Sequence, residues 1–346
     1  MLNGVPVLDA VVHAYNLDPA NYALPQTRHI VEMNFRLFQA AGAQAAARSV
    51  DEFSRDFSIE EVSEWTFAQT DTDLAVYHVL PIRAFRDGGC SLAKAVEAQQ
   101  RWPDRWLVYA GVDPLDGPKA LDDLEEQVET LHPVGLKLYP GQYTLGGMRN
   151  WRMDDAEIAY PVFSRALELG IKIIAIHKAI PMGPDPLDFY RMGDIDRAAV
   201  DFPEARFEVV HGGVAFLEET AWQLSRFPNV YVNLESTATF LVSRPLAFQY
   251  ALAAMASVAG KRVFDRIMWG TGTGNLQLGL ERFWDFAFDE PTMDRFGVPQ
   301  LTEEDKAKIL FGNYASMTGL GDELRRRLDS AGSDEFSKRR AAAKSA

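Results

Sequence analysis

Cysteine is almost missing from this chain of 346 residues, where Cys90 stands alone. A single thiol excludes an internal disulfide and any zinc or iron–sulfur site built from clustered thiolates, and it fits a reducing cytoplasm. Long apolar runs are missing as well. No window approaches the roughly 18 uninterrupted apolar residues of a membrane span, and the opening MLNGVPVLDA lacks a basic stretch followed by a long apolar core, so neither a membrane helix nor a secretory leader is expected. Basic residues are in deficit, 35 against 49 acidic ones. The resulting net charge of -14 argues against non-specific nucleic-acid binding and against docking to anionic lipid. There is no Gly-x-Ser-x-Gly elbow, which removes the usual serine-hydrolase reading. The glycine-rich GTGTGN at Gly270–Asn275 lacks the lysine of a P-loop and the spacing of a dinucleotide fingerprint. What remains, 47% apolar and 24% charged, is the composition of a soluble globular protein with a large core, and it leaves a small-molecule partner as the class to consider.

The clearest signal that is present lies in Ile171–Ile180, IKIIAIHKAI. An apolar run after Gly170 and before Pro181 reads as a strand buried on both faces, with His177 at its end. Arg206–Gly213, RFEVVHGG, repeats the design with His211. Along the chain, strands are expected at Val5–Val12, Asp73–Ile82, Trp106–Val112, Val134–Tyr139, Ile171–His177, Phe207–His211, Val230–Leu234 and Ile267–Gly270, each followed by a segment of helical spacing. Eight strand–helix alternations predict a (β/α)8 TIM barrel, a fold of about 250 residues. The surplus falls in a helical insertion after strand one (residues 19–70) and in extra C-terminal helices. Helices are predicted there at Thr27–Ala47 and at Ser58–Gln69, the latter opened by Ser58 with Glu61 as a capping box. Residues 1–328 are expected to form one barrel domain, and 329–346, SAGSDEFSKRRAAAKSA with the preceding Asp, a flexible solvated tail.

Parallel barrels carry their chemistry at the C-terminal ends of the strands, so the polar residues there are the candidates. On an unbroken strand Asp9, Val11 and His13 share one face, with His13 nearest the rim. Alone, each histidine reads as a buried, hydrogen-bonded core residue. Taken together, His13, His177 and His211 at three strand ends point to metal binding or acid–base work, since neutral imidazole serves both. Lys137, in VGLKLYP, is an amine within an apolar strand, either a neutral nucleophile or bridging group, or a lysine that reaches out of the mouth or pairs with an acid. Glu235, at the end of VYVNLE, could ligate a metal, act as a base, or pair with Lys137. His78 is expected in the core, and His29 and His132 in structural settings.

These stretches, with FPEARFEVVHGG, FPNVYVNLES, RIMWGTGTGN and the closing LTEEDKAKILFGNYASMTGL, resemble the amidohydrolase-related branch of the amidohydrolase superfamily, from strand one to Leu320. That branch includes aminocarboxymuconate-semialdehyde and resorcylate decarboxylases together with lactone and amide hydrolases. The resemblance implies one divalent ion at the barrel mouth, zinc first and manganese or iron as alternatives, with His13 and His177 as ligands. It places His211 where family members hold a second metal or act on substrate or water. It also implies homodimers paired through barrel-edge helices. The chain departs from the pattern at two ligand positions. Val11 stands where the first strand usually supplies a histidine or carboxylate, and Gly272 where strand eight usually supplies an aspartate. Glu235 or His211 would then complete a rearranged set, substrate would do so by chelation, or the metal would be absent.

Two functions follow as expectations. The first is a metal-dependent hydrolase or non-oxidative decarboxylase of a small carboxylated or cyclic, aromatic included, substrate. In it His13 and His177, with Glu235 or His211, hold the ion, His211 shuttles the proton, and Lys137 binds a carboxylate or steadies an oxyanion. The second is a catalytically degenerate barrel kept as a binding or assembly protein.

Overall fold

The computed structural model describes residues 1–41, 49–272 and 277–345. Eight parallel strands follow one another around a sheet: β1 (Leu8–Val12), β2 (Leu74–His78), β3 (Trp106–Gly111), β4 (Gly135–Leu138), β5 (Ile173–His177), β6 (Arg206–Val210), β7 (Val230–Asn233) and β8 (Ile267–Met268). The chain beyond β8 closes the ring on β1. Ala10 donates to Trp269 O (3.0 Å), Gly272 to Val11 O (2.8 Å) and His13 to Gly272 O (2.9 Å). The result is the TIM barrel that the strand–helix rhythm predicts, each strand within a few residues of its expected place.

The strands are apolar almost throughout because both of their faces are covered. Leu8, Ala10, Val76, Leu107, Tyr109, Ile173 and Ala175 pack in one cluster with Tyr314 and Met317 of the helix Asn313–Thr318. A larger cluster joins the strands to the surrounding helices, for example Leu124, Phe163, Ile195, Leu224 and Leu252. Strand alternation fails in one place. The β1–β2 register shifts between Asp9 and Val12, and Val11 packs in the same cluster as Leu8 and Ala10. The expected inward row of Asp9, Val11 and His13 is therefore interrupted by a bulge-like irregularity, which re-aims the residues that follow it.

The insertion after β1 carries a helix at Thr27–Ala41, and the part predicted at 42–47 lies outside the described residues. Ser58 does cap its helix, accepting from Glu61 N, although the helix runs Ile59–Ser63 and continues as a π-helical turn, Glu64–Ala68. Between β4 and the next helix the chain makes an antiparallel hairpin, Gly141–Thr144 with Gly147–Asn150, which the strand pattern did not predict.

The C-terminal segment, expected as a tail, is helical and packed. Residues Gly321–Ala331 and Glu335–Ser345 are helical, and Phe336 is buried against Phe67 and Trp102. The nearly unexposed Arg105 reaches across to Asp334 (2.7 Å), Ala331 O (2.7 Å) and Ser337 Oγ (2.8 Å). Arg340 and Lys344 pair with Asp73 (3.0 Å) and Asp71 (2.6 Å). The basic residues that read as a solvated run thus face carboxylates far away in sequence, a pairing that local composition does not reveal. Among the described residues no helix is long and apolar enough to cross a membrane.

Candidate active site

Three consecutive strand ends bring the candidate chemistry together. His177 is the last residue of β5, His211 follows β6, and Glu235 lies just past β7. The β6 turn is built for this. His211, Gly212 and Gly213 all take left-handed backbone conformations, with φ of 79°, 59° and 65°. A Cβ on Gly213 would fall 2.2 Å from Thr220 Oγ1, so only glycine fits there. His211 itself bears a conformation that costs a β-carbon residue about 1–3 kcal/mol. The turn is held by Thr237 Oγ1, which donates to His211 O (2.9 Å), and by Asn233 Oδ1, which accepts from Glu235 N (3.2 Å).

The side chains then form a chain of contacts. Glu235 pairs through Oε2 with His211 Nδ1, and Ser236 Oγ donates to the same carboxylate oxygen (2.9 Å). His211 Nε2 lies 2.8 Å from His177 Nδ1, and His177 Nε2 lies 2.8 Å from Ile180 O. The directions of these hydrogen bonds can be worked out from the far end. A backbone carbonyl only accepts, so His177 Nε2 carries a proton. Burial, aided by His211 and Lys137, holds the His177 pKa well below its ordinary value, so the ring is neutral and Nδ1 is a lone pair. His211 must therefore donate from Nε2. Although burial pushes the Glu235 carboxyl up, the charge and hydrogen bond of His211, then His13, hold it at about 2, so it is an acceptor and His211 Nδ1 donates to it. Both nitrogens of His211 thus face acceptors, Nδ1 the Glu235 carboxylate and Nε2 the His177 Nδ1 lone pair, which is the arrangement of an imidazolium paired with a buried carboxylate.

Glu235 reaches His211 through space vacated by residue 272. Gly272 has φ of 80°, and a Cβ there would lie 2.1 Å from Glu235 Oε1. Tyr139 stacks on the other face of His177, with centroids 4.5 Å apart and planes at 23°. These groups border a cavity of about 350 Å³ whose walls include Tyr15, Ile82, Tyr139, Pro181, Met182 and Phe240, with Thr271, Ser236 and Arg244 as further polar lining.

The remaining candidates sit deeper. His13 is buried beside Tyr15 and His78, at centroid distances of 5.0 and 5.8 Å, and its Nδ1 has no hydrogen-bond partner among the described residues. Burial pulls its pKa to about 3, against Glu235, so it is neutral. Lys137 is entirely buried, with Nζ 5.1 Å from the Tyr139 ring centroid and no hydrogen-bond partner among the described residues. Burial lowers its pKa to about 7, while Glu235 and Glu208 oppose. The amine lies against Tyr139 and, among the described residues, neither reaches out of the mouth nor pairs with an acid, two of the alternatives the sequence left open. Asp9 accepts from Val11 N, Thr271 N and Thr271 Oγ1 (2.5 Å), and burial raises its pKa to about 7. His78 is in the core as expected, bonded to Ala10 O (2.9 Å) and stacked on Tyr109. Sequence reading did not single out Tyr139 or Thr271. Tyr139 directly follows β4 and Thr271 lies in the β8 segment, so their place at strand ends was the available signal.

The profile of the amidohydrolase family matches residues 27–316. The chain belongs to the amidohydrolase family. Among solved structures it is similar to a TIM-barrel protein of Bordetella bronchiseptica, Bb4693, at 19% identity over 94% of this chain and 100% of that one, with a TM-score of 0.64. It is also similar to a 4-oxalomesaconate hydratase of Rhodopseudomonas palustris, at 17% identity over 92% and 98% of the two chains, with a TM-score of 0.53. A third similar structure is a dihydroxybenzoic acid decarboxylase of Polaromonas with bound manganese and the inhibitor 2-nitroresorcinol, at 15% identity over 92% and 98%, TM-score 0.53. No curated protein matches the chain in sequence. At these identities the structures establish the barrel fold and no particular activity.

The family's metal does not fit the donors of this amidohydrolase site. Val11 and Gly272 offer no ligand, His177 and His211 have committed their ring nitrogens, and among the described residues no group of three histidine, cysteine or acidic side chains is arranged to hold an ion.

Proposed function

We propose that the protein is an enzyme that hydrolyses or non-oxidatively decarboxylates a small carboxylated, cyclic substrate, with His211 as the proton donor. The observation that carries this reading is the His211 imidazolium held between Glu235 and His177 on the wall of the cavity. A buried ion pair is costly to keep and contributes little to stability, so its placement beside a cavity large enough for one aromatic ring favours chemistry over a vestigial barrel. Decarboxylation has a counterpart among the similar structures, the dihydroxybenzoic acid decarboxylase with bound manganese, and the family's name supports hydrolysis.

A substrate that takes the place of His177 as the partner of His211 Nε2 receives its proton, which in decarboxylation goes to the ring carbon bearing the carboxylate. The bond to the carboxyl carbon then breaks, its electron pair returns to the ring, and CO2 leaves. In hydrolysis water adds to the carbonyl carbon and loses a proton to solvent, and the leaving oxygen takes the same His211 proton as its bond to that carbon breaks. A proton from solvent then restores His211. Glu235 keeps the imidazolium charged and oriented, and general acid catalysis of this kind is worth about 10²- to 10⁴-fold. The apolar walls and Tyr139 accept a flat ring. A panel of hydroxybenzoates, other carboxylated aromatics and cyclic esters, followed by product chromatography, tests the reading. Turnover that falls at least about 100-fold in His211→Asn supports it. Absence of turnover across the panel, or turnover unaffected by that variant, contradicts it.

A further inference from the structure

We infer that this site works without a resident divalent metal, because its histidines and Glu235 are spent on one another and on the backbone and leave too few donors for an ion. The inference rests on the proposed function for the identity of the working site, but its warrant is an account of lone pairs.

A metal takes an unshared pair from each ligand. His211 has none to give, because its Nδ1 proton goes to Glu235 and its Nε2 proton to His177. The one pair on His177, at Nδ1, accepts that second proton, while Nε2 is turned away to Ile180 O. Glu235 spends Oε2 on His211 and on Ser236. With His211 Nδ1 facing Glu235, the donors left over are His13 Nδ1 and the second carboxylate oxygen of Glu235, Oε1, and two donors fall short of the three or four protein ligands that hold a divalent ion.

Backbone geometry reinforces the account. Residue 272 cannot regain a carboxylate without displacing Glu235, since even a methyl group there would meet Oε1 at 2.1 Å. The carboxylate occupying that space has instead taken a proton donor as its counter-charge.

The test uses the full chain and three ions. Protein expressed in medium supplemented with zinc, manganese or iron and purified without chelator should carry less than about 0.1 equivalent of each by elemental analysis. Titration with Zn²⁺ should leave the His177 and His211 ring resonances in nitrogen-15 NMR unmoved, with both ring protons of His211 retained. One equivalent of metal that disappears in His177→Ala, or loss of the His211 ring protons as Zn²⁺ is added, overturns the inference. The two readings fail separately: a stoichiometric metal leaves the proposed reaction classes intact, and an inactive substrate panel leaves the metal content as stated here.

Discussion

Glu235 and Gly272 share one space: the carboxylate of the first lies where the β-carbon of any residue replacing the second would have to go, 2.1 Å from Oε1. Because Gly272 also exchanges backbone hydrogen bonds with Val11 and His13, this single position fixes both the closure of the barrel and the reach of Glu235.

Gly272→Ala therefore carries two penalties, a positive φ for a residue with a side chain and a forced retreat of the carboxylate. The expected loss is about 1–3 kcal/mol of stability, read by denaturant unfolding, together with the Glu235–His211 pair. A variant with full stability and an unchanged His211 ring spectrum would show that the space is not shared.

Glu235→Gln removes the counter-charge and leaves the shape. His211 then faces an amide, and the buried ring should lose its second proton at neutral pH, because an unpaired charge there is costly. Turnover should fall by about 10²- to 10⁴-fold while the fold survives. Retention of both ring protons in Glu235→Gln counts against the pairing.

Lys137 gives a pH signature of stability. Its pKa is about 7 in the folded chain, against about 10.4 when unfolded. Between those values the unfolded state binds more protons, so this group makes stability rise with pH through that window; below pH 7 its burial as a cation is a full cost. Lys137→Met should flatten that rise, measured as unfolding free energy at pH 7 and at pH 9.5. An equal rise in the variant assigns the slope to other groups.

At the opposite end of the chain, Asp334→Ala leaves the guanidinium of Arg105, 1% exposed, without its carboxylate. Asp334 is a quarter exposed, so the cost is less than for a fully buried pair, about 2 kcal/mol. Removal of residues 333–346 also takes away Phe336 and the partners of Asp71 and Asp73, and should lower the melting temperature markedly more than the point variant. A truncated chain as stable as the whole would restore the picture of a solvated tail.

Much of this was legible in the residues. Buried parallel strands read as apolar runs, so IIAIH and RFEVV declared both their strands and the histidines that end them. What could not be read was direction. The bulge-like shift after Asp9 breaks a period-two face that sequence treats as continuous, and so misplaces the expected row leading to His13. Lys137 was visible as an amine in a strand, but its depth beneath Tyr139 depends on the tertiary fit of β4 against its neighbours. The C-terminal helix is the clearest case. KRRAAAK has a weak apolar face, and beside the buried Phe336 its helix is held by ion pairs with Glu64, Asp71 and Asp73, over 260 residues away in sequence.

Neutron diffraction from a deuterium-exchanged crystal at pH 7 reports most directly on the wiring of the mouth, since it sees the protons themselves. The account predicts deuterium on both Nδ1 and Nε2 of His211, on Nε2 alone of His177, and none on Glu235. A bare nitrogen on His211, or an ion bound between His13 and His177, would contradict it.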